Sequence, residues 1–388
     1  MKRILPAIVI AQFFCTSLWF AGNAIMPDLM KNFDVDQSFL ANLTSSIQFG
    51  FIAGTFLFAL LTVPDRFSPS LVFFVCSIIA GLFNLALSTS GISAPALLLC
   101  RFFTGFFLAG IYPVGMKIAA DYYQKGLGKS LGFLVAALVL GTAFPHLLKS
   151  IGKALPWKYV IYSTSALSAL GGLIILMLVP DGPFRKPGQN LKLTAFASGF
   201  RNKNFRSASL GYFGHMWELY SFWAFVPVML TTYNNVQQNN LDVSLLSFLI
   251  MASGSIACVV SGIFSQHFGV KKVATISLFL SCLCCLLSPF FLVGSPPLVL
   301  VAFLVFWGLV VIADSPLFST LVAQNIAEQS RGTALTIVNC IGFSITIISI
   351  QITKVLLGHI NNRYIYMLLA VGPVVGLAAL LKNKENRT

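Results

Sequence analysis

Long apolar runs recur along the whole chain, and no other feature limits the possible folds as strongly. Each run has roughly the 20 residues that an α-helix needs to cross the hydrocarbon core of a bilayer, and about twelve of them fit into the sequence. Only 9% of the 388 residues are charged, whereas a soluble domain carries about 25%. Such a chain cannot cover a water-facing surface, so the sequence predicts an all-α membrane protein with about twelve transmembrane helices.

The predicted helices form two sets, separated by the longest polar connection. The first set lies near residues 4–26, 40–62, 70–89, 95–117, 129–148 and 158–179. The second set lies near residues 207–231, 243–264, 272–293, 297–320, 332–353 and 363–381. We therefore predict an N-terminal six-helix bundle over residues 1–180, a cytoplasmic linker over 181–206 and a C-terminal six-helix bundle over 207–388.

Basic residues are concentrated in alternate loops between the predicted helices. If the N-terminus is cytoplasmic, 18 of the 25 Lys and Arg residues fall on the cytoplasmic side and 6 outside, while Arg101 lies within a helix. This bias follows the positive-inside rule and predicts that both termini are cytoplasmic in a multi-pass protein of the cell inner (plasma) membrane. The net charge of +14 is thus explained by topology, and we predict no binding of nucleic acid.

The sequence lacks the motifs of several other functional classes. All eight cysteines lie in apolar runs, where thiols behave as small hydrophobic groups, and no Cys/His spacing typical of a metal site occurs. No Gly-x-x-x-x-Gly-Lys-Ser/Thr motif is present, so ATP is not bound through a P-loop. No nucleophile triad stands out either. We predict that the protein is not an enzyme and uses no cofactor or metal.

The two sets of helices are related by an internal repeat. Two pairs of residues in the fourth and tenth helices share an offset of 203 positions, namely Gly105 with Gly308 and Pro113 with Pro316. Trp19 and Trp223, in the first and seventh helices, match at an offset of 204. Parallel six-helix halves that meet around a site near the middle of the membrane are one known plan of secondary transporters.

The order of these motifs resembles the major facilitator superfamily over essentially the full chain. The superfamily's loop motif, Gly-x-Leu-Ala-Asp-Arg-x-Gly-Arg-Lys, is shortened in the first half to Asp65-Arg66-Phe67-Ser68-Pro69. In the second half it is kept as Gly262, three further residues, and then Gln266-His267-Phe268-Gly269-Val270-Lys271-Lys272. The fourth helix carries the superfamily's Arg, spaced glycines and proline as Arg101, Gly105, Gly110 and Pro113. The resemblance implies the major facilitator fold, with two pseudo-symmetric six-helix bundles.

The two loop motifs carry charged and polar residues at the predicted cytoplasmic ends of helices. We interpret five of them as a conformational latch between helix ends, not as a substrate site. These latch residues are Asp65, Arg66, Gln266, Lys271 and Lys272.

Ionisable residues within the predicted helices are few, and each costs about 2.5–3.5 kcal/mol to insert, so they indicate function. Glu218 and His215 lie three residues apart on the seventh helix and can share a face. A carboxyl group with an imidazole nearby can exchange a proton, which makes Glu218 the best candidate for proton coupling. Alternatively, Glu218 only bonds a neighbouring helix, with His215 as its partner. Asp314 is either a second coupling residue or a cap for the backbone broken by Pro316.

Arg101 is the basic residue within a predicted helix, and two roles are open for it. Its guanidinium can be the countercharge for an anionic substrate, because its fork of donors suits a carboxylate or phosphate. It can equally be a structural partner of backbone or carboxylate groups.

Polar and aromatic side chains on several helices are candidates for lining a substrate cavity. Hydrogen bonding between helices, or packing in the case of the aromatic residues, is the competing use of the same side chains. The residues that we predict to bind substrate, together with Arg101, are Trp19, Asn23, Gln48, Tyr220 and Asn339.

These features together predict a proton-coupled secondary transporter that moves a small anionic or zwitterionic solute by alternating access, as a symporter or antiporter. Its partners would be the solute, protons and the lipid bilayer, and the protein would act as a monomer. One alternative is the efflux of an amphipathic drug or siderophore, suggested by the 36 phenylalanines. Another is a receptor or scaffold that transports nothing, although such a protein would not need ionisable residues within the membrane.

Overall fold

The protein is described by a computed structural model over residues 3–33, 35–123, 127–185, 197, 199–327, 330–357, 359–360 and 363–382. Regular structure in these residues is entirely helical, and ten helical segments among them are long and apolar enough to cross a membrane. The predicted all-α membrane fold is therefore confirmed. The interior of the predicted linker, residues 186–196 and 198, lies outside the described part of the chain.

The described helices group into two compact units. The first unit comprises Met1–Asn190 with Ser247–Ser255, and the second comprises Leu191–Leu246 with Ile256–Thr388. The helices of the N-terminal part are α1 Ile4–Thr16, α2 Ala21–Ala24, α3 Met26–Phe33, α4 Phe39–Leu60, α5 Val63–Arg66, α6 Pro69–Ala86, α7 Ala94–Leu108, α8 Tyr112–Tyr122, α9 Leu127–Ile151 and α10 Lys158–Leu178. Those of the C-terminal part are α11 Lys203–Gln237, α12 Val243–Phe268, α13 Val270–Phe291, α14 Pro297–Ala313, α15 Ser315–Gln324, α16 Arg331–Leu356, a 3₁₀ helix Ile365–Ala370 and α17 Val371–Lys382.

The first predicted span is interrupted, in contrast to the single helix expected over 4–26. Regular helix ends at Thr16 and resumes at Ala21. Two hydroxyls compete for backbone acceptors at this point, since Thr16 donates to Gln12 O at 2.8 Å and Ser17 to Phe14 O at 2.6 Å. Hydroxyls that bond back to the preceding turn bend helices. The interruption frees backbone carbonyls, which a side chain from another helix then binds.

The fourth and tenth predicted spans are broken at equivalent positions. Ile111 is the N-cap of α8 and Asp314 is the N-cap of α15, and each helix has a proline in its first turn. Proline lacks a backbone N–H and is therefore well placed where a helix begins. Because Ile111 and Asp314 match at the repeat offset, the same backbone break occurs in both halves of the sequence.

Glycines allow helices to approach closely in each unit. A Cβ added at Gly105 of α7 would lie 1.8 Å from Ile47 O of α4, so no other residue fits there. Gly214 of α11 meets Gly372 of α17 in the same way, with an added Cβ only 2.3 Å from the Gly372 carbonyl oxygen. The second contact fixes the middle of α11, which carries the ionisable residues predicted from the sequence.

Candidate functional site

Glu218 lies near the centre of α11 and is almost completely buried in the C-terminal unit. Its Oε1 accepts hydrogen bonds from Trp307 Nε1 at 2.7 Å and from the Cys285 thiol at 3.2 Å. Its Oε2 accepts a hydrogen bond from the Ser281 hydroxyl at 2.8 Å. We call Glu218 and these three donors the carboxyl cage.

The carboxyl cage contains only neutral donors. Ser281 and Cys285 are one turn apart on α13 and present both groups to α11, while Trp307 reaches Glu218 from α14. Within the part of the chain that the structure describes, no basic side chain forms an ion pair with Glu218. A carboxyl group held in this way is not locked in the ionised state by a fixed cation, so it can gain or lose a proton as its surroundings change.

His215 does not pair with Glu218, contrary to the expectation from their spacing. Its Nδ1 lies 2.8 Å from Asp314 Oδ1, and both side chains are about 1% exposed. The aromatic rings of Tyr212 and Phe318 are close to the imidazole, and the centroid of each ring lies 6.1 Å from the imidazole centroid. The C-terminal unit therefore holds two separate buried acidic groups, the carboxyl cage and the His215–Asp314 pair.

Asp314 does not cap the helix that Pro316 begins. It occupies the N-cap position of α15, but its side chain makes no capping hydrogen bond. Its backbone carbonyl forms the hydrogen bonds at the start of α15, accepting from Leu317 N at 3.0 Å and from Phe318 N at 2.9 Å. The capping interpretation is therefore wrong. The carboxyl group points instead to His215, one turn of α11 away from Glu218.

Arg101 is buried in the N-terminal unit, where it bonds the interrupted first span. Its Nη1 donates to Leu18 O at 3.0 Å and to Asn84 Oδ1 at 3.3 Å, and its Nη2 donates to Trp19 O. The two carbonyls are among those released where α1 ends. In this structure the guanidinium therefore acts as the structural partner of the backbone, the second of the two roles open from the sequence.

Substituting Arg101 should lower stability whether or not charge is kept. Arg101→Gln loses buried hydrogen bonds to Leu18 O and Trp19 O, each worth about 1.5–3 kcal/mol for a charged donor, and Arg101→Lys cannot reproduce the two-pronged contact. We expect both variants to unfold at clearly lower temperature in detergent than the wild type, while Arg206→Gln, an exposed control, does not. Full stability in Arg101→Lys with loss in Arg101→Gln would show instead that only the charge matters.

The other predicted substrate residues of the N-terminal unit are all buried, but their surroundings differ. Asn23 Nδ2 donates to Thr44 Oγ1 at 2.8 Å, and the Trp19 ring packs edge-on against Phe51 at 5.0 Å. Gln48 is fully buried, yet neither atom of its amide has a hydrogen-bond partner among the described residues. The same holds for Gln12 of α1. Buried amides normally have partners, so these two amides have unused hydrogen-bonding capacity.

The predicted substrate residues of the C-terminal unit have partners within that unit. Asn339 Oδ1 accepts a hydrogen bond from the Tyr212 hydroxyl at 2.8 Å. Tyr220 packs against Trp223 and Phe343, with ring centroids 5.4 and 5.2 Å away. Their geometry fits interhelical packing, and their role in substrate binding stays a prediction.

The latch residues of the first half form an ion-pair cluster at one end of the N-terminal unit. Lys117 Nζ lies 2.9 Å from Asp65 Oδ1 and 3.6 Å from Asp121 Oδ2. Arg185, which follows α10, donates to the carbonyls of Asp65 at 3.0 Å and Phe67 at 2.7 Å. Arg66 donates to Thr62 Oγ1 at 3.1 Å. The cluster thus joins α5, α8 and the end of α10.

The second-half motif is arranged differently. Gln266 is exposed at the end of α12, and Lys272 lies over the Phe268 ring, 6.0 Å from its centroid. Lys271 lines a small polar cleft with Asn204 and Asn325. The latch residues of the second half therefore have different surroundings from those of the first half, although the two motifs are related by the repeat.

Several residues of these clusters were not predicted from the sequence. Trp307, Ser281 and Cys285 complete the carboxyl cage, and Lys117 and Arg185 complete the ion-pair cluster. The spacing of Ser281 and Cys285, four residues apart in an apolar helix, was the one available signal of a polar face. Trp307 lies 89 residues from Glu218, and no local pattern links the two.

Comparison with known proteins gives one consistent result. The sequence profile of the Major Facilitator Superfamily matches residues 8–350 and 208–387. The fold resembles the nucleoside transporter NupG (19% identity, TM-score 0.73, 98% of this chain and 99% of that chain). It also resembles the human organic anion transporter MFSD10 (14%, 0.76, 98% and 99%) and the xylose transporter XylE from E. coli (14%, 0.76, 98% and 98%). A search of curated protein sequences finds no match. These similarities confirm the predicted major facilitator fold.

Proposed function

This chain belongs to the major facilitator superfamily of secondary transporters, and we propose that proton exchange at Glu218 drives its transport of a small polar solute by alternating access. The observation that carries the proposal is the carboxyl cage. It holds a buried, titratable group between three helices of the C-terminal unit, and no cation among the described residues pairs with that group.

Protonation changes what Glu218 can do within the cage. The ionised carboxylate accepts hydrogen bonds from Trp307, Ser281 and Cys285, whereas the protonated acid is uncharged and becomes a donor itself. The two states therefore favour different arrangements of α11 against α13 and α14. A conformational equilibrium that responds to a proton in this way is the element that coupled transport requires.

The class of solute is proposed from the polar groups that have bonding capacity. Arg101 places its Nη1 and Nη2 groups on Leu18, Trp19 and Asn84 and has only Nε without a partner among the described residues, so it gives little support to the anionic or zwitterionic class that the sequence suggested. The amides of Gln12 and Gln48 can donate and accept hydrogen bonds, which suits hydroxyl, carbonyl or amide groups. We therefore propose a small polar solute with several such groups.

Proton flux in proteoliposomes tests the proposal. Purified protein would be reconstituted with a pH-sensitive dye inside, and uridine, xylose, lactate and glycine would be added in turn. We expect the solute that is transported to move protons and to accumulate when a pH gradient is imposed. A solute that equilibrates through the protein without moving protons, and that no pH gradient concentrates, would overturn proton coupling.

We further propose that the ion-pair cluster around Asp65 acts as a latch. It would stabilise a conformation in which the transporter is closed at the end of the N-terminal unit where this cluster lies. Asp65→Asn removes the carboxylate that Lys117 contacts, and exposed pairs of this kind contribute about 1 kcal/mol or less. We expect hydrogen–deuterium exchange to rise a few-fold in residues 61–69 and 112–122.

The pair Asp28–Lys149 provides a matched control for this variant. Its atoms are 2.6 Å apart, and its side chains are 22% and 21% exposed, close to the 24% and 23% of Asp65 and Lys117. Asp28→Asn should leave exchange in residues 61–69 unchanged. A uniform rise over the whole unit in Asp65→Asn would indicate general destabilisation and argue against a latch.

A further inference from the structure

A long apolar groove runs along the C-terminal unit, apart from the carboxyl cage. Its volume is about 560 Å³, within the range of roughly 300–1,000 Å³ that is typical of ligand pockets. It lies between α12, α13 and α14. Its walls are built mainly by Ile256, Val260, Phe264, Ile276, Leu280 and Leu309.

The groove faces outward and has little polar character. Ile256, Phe264 and Ile276 are 65%, 51% and 49% exposed, so in a membrane protein this face meets lipid. Of the two serines in its lining, Ser261 bonds its hydroxyl back to Cys258 O of the same helix at 3.2 Å. A polar solute would therefore find few hydrogen-bond partners in the groove, whereas a hydrocarbon chain needs no such partners.

One end of the groove is basic. Lys272 lines it and extends its ammonium group over the Phe268 ring; Lys271 precedes Lys272 in the sequence, and His267 precedes Phe268. The lining residues of α12 run from Ile256 to Phe268, a rise of about 18 Å at 1.5 Å per residue. That length is similar to one leaflet of the hydrocarbon core, about 15 Å thick. The groove is thus apolar over the depth of a leaflet and positive where the headgroups begin.

We propose that this groove binds an anionic phospholipid, with an acyl chain between α12, α13 and α14 and its phosphate at Lys272. The charge at the basic end distinguishes this occupant from a second copy of the chain, whose lipid-facing helices would bring no phosphate to Lys272. The position of the groove distinguishes the lipid from the transported solute. Its lining includes Ser277 and Ala313 but neither Ser281 nor Asp314.

Native mass spectrometry of the protein in detergent tests the proposal. The wild type, Lys272→Gln and Ala257→Phe would each be incubated with phosphatidylglycerol and, separately, with phosphatidylcholine of the same chain length. Lys272→Gln removes the charge, and Ala257→Phe fills the groove from α12. We expect Lys272→Gln to weaken binding of phosphatidylglycerol about fivefold, the effect of about 1 kcal/mol per lysine near an anionic surface, and Ala257→Phe to weaken it by filling the space of the acyl chain. Binding of phosphatidylcholine should be weaker than that of phosphatidylglycerol in the wild type.

Lys203→Gln is the matched control, because Lys203 is an exposed lysine at the start of α11 and does not line the groove. It should bind phosphatidylglycerol as the wild type does. Thermal unfolding of each variant in detergent would identify any loss of fold, and Lys272→Gln, an exchange at a surface position, keeps the test valid if Ala257→Phe does not fold. Equal binding of phosphatidylglycerol by Lys272→Gln and wild type, or equal binding of the two lipids by the wild type, would overturn the proposal.

Discussion

Glu218→Gln should abolish accumulation of solute against its gradient while leaving exchange of solute across the membrane measurable. Glutamine keeps the shape of the side chain, and its Oε1 can still accept from Trp307. It cannot carry a proton through the cycle. One proton crossing one pH unit supplies about 1.4 kcal/mol, which supports about tenfold accumulation at one-to-one coupling. We expect that ratio to fall to about one in the variant, measured with radiolabelled solute in proteoliposomes under an imposed pH gradient.

Ser281→Ala is the control for this substitution. It removes one donor of the carboxyl cage but keeps the carboxyl group, so accumulation should persist. Concentration of solute by Glu218→Gln under the same gradient would end the coupling role of Glu218. The His215–Asp314 pair would then be the next candidate, because it is the other buried acidic group described in the C-terminal unit.

Asp314→Asn should lower the stability of the C-terminal unit. It breaks a pair whose side chains are both about 1% exposed and leaves His215 without its carboxylate. Removing one partner of a buried polar pair, so that the other group is left unsatisfied, typically costs about 1–3 kcal/mol. We expect a corresponding fall in the free energy of unfolding, measured by denaturant titration in detergent micelles. The double variant His215→Gln/Asp314→Asn should recover much of it, because two neutral groups can bond each other.

Asp242→Asn provides the comparison at the surface. Asp242 caps α12 by accepting from Leu245 N at 3.0 Å, and asparagine caps a helix about as well as aspartate, so little stability should be lost. If Asp314→Asn is as stable as wild type but no longer accumulates solute, the structural interpretation of the pair fails. The predicted role of Asp314 in proton coupling would then stand.

The sequence identified the ionisable residues of the candidate site but not their partners. The scarcity of charge within apolar runs identified Glu218, His215, Asp314 and Arg101, because burial of an ionisable group in a membrane is costly and therefore selective. Their partners could not be identified in the same way. Spacing placed His215 and Glu218 on one face of α11, but that face meets different helices at the two positions. Glu218 meets α13 and α14, whereas His215 meets the residue at the start of α15.

Arg101 illustrates the same limit in the N-terminal unit. Two roles were open because the guanidinium suits carbonyl oxygens as well as anions. The structural role of Arg101 depends on the break between α1 and α2, which makes the carbonyls of Leu18 and Trp19 available to a side chain of α7. The sequence suggested an unbroken helix there, since its apolar run continues through the break.

The sequence by itself determined that this chain is an α-helical membrane protein, because too few charged residues are present to solvate a surface and a helix is the structure that satisfies its own backbone in lipid. It also indicated the break at Pro316, because proline acts on the backbone locally, whereas the equivalent break before Pro113 was not predicted. Only the tertiary structure decided which groups hold Glu218, Asp314 and Arg101. Those contacts join residues as far apart in the sequence as His215 and Asp314, and hydrogen bonds depend on positions to within a fraction of an ångström, which no periodicity in the sequence specifies.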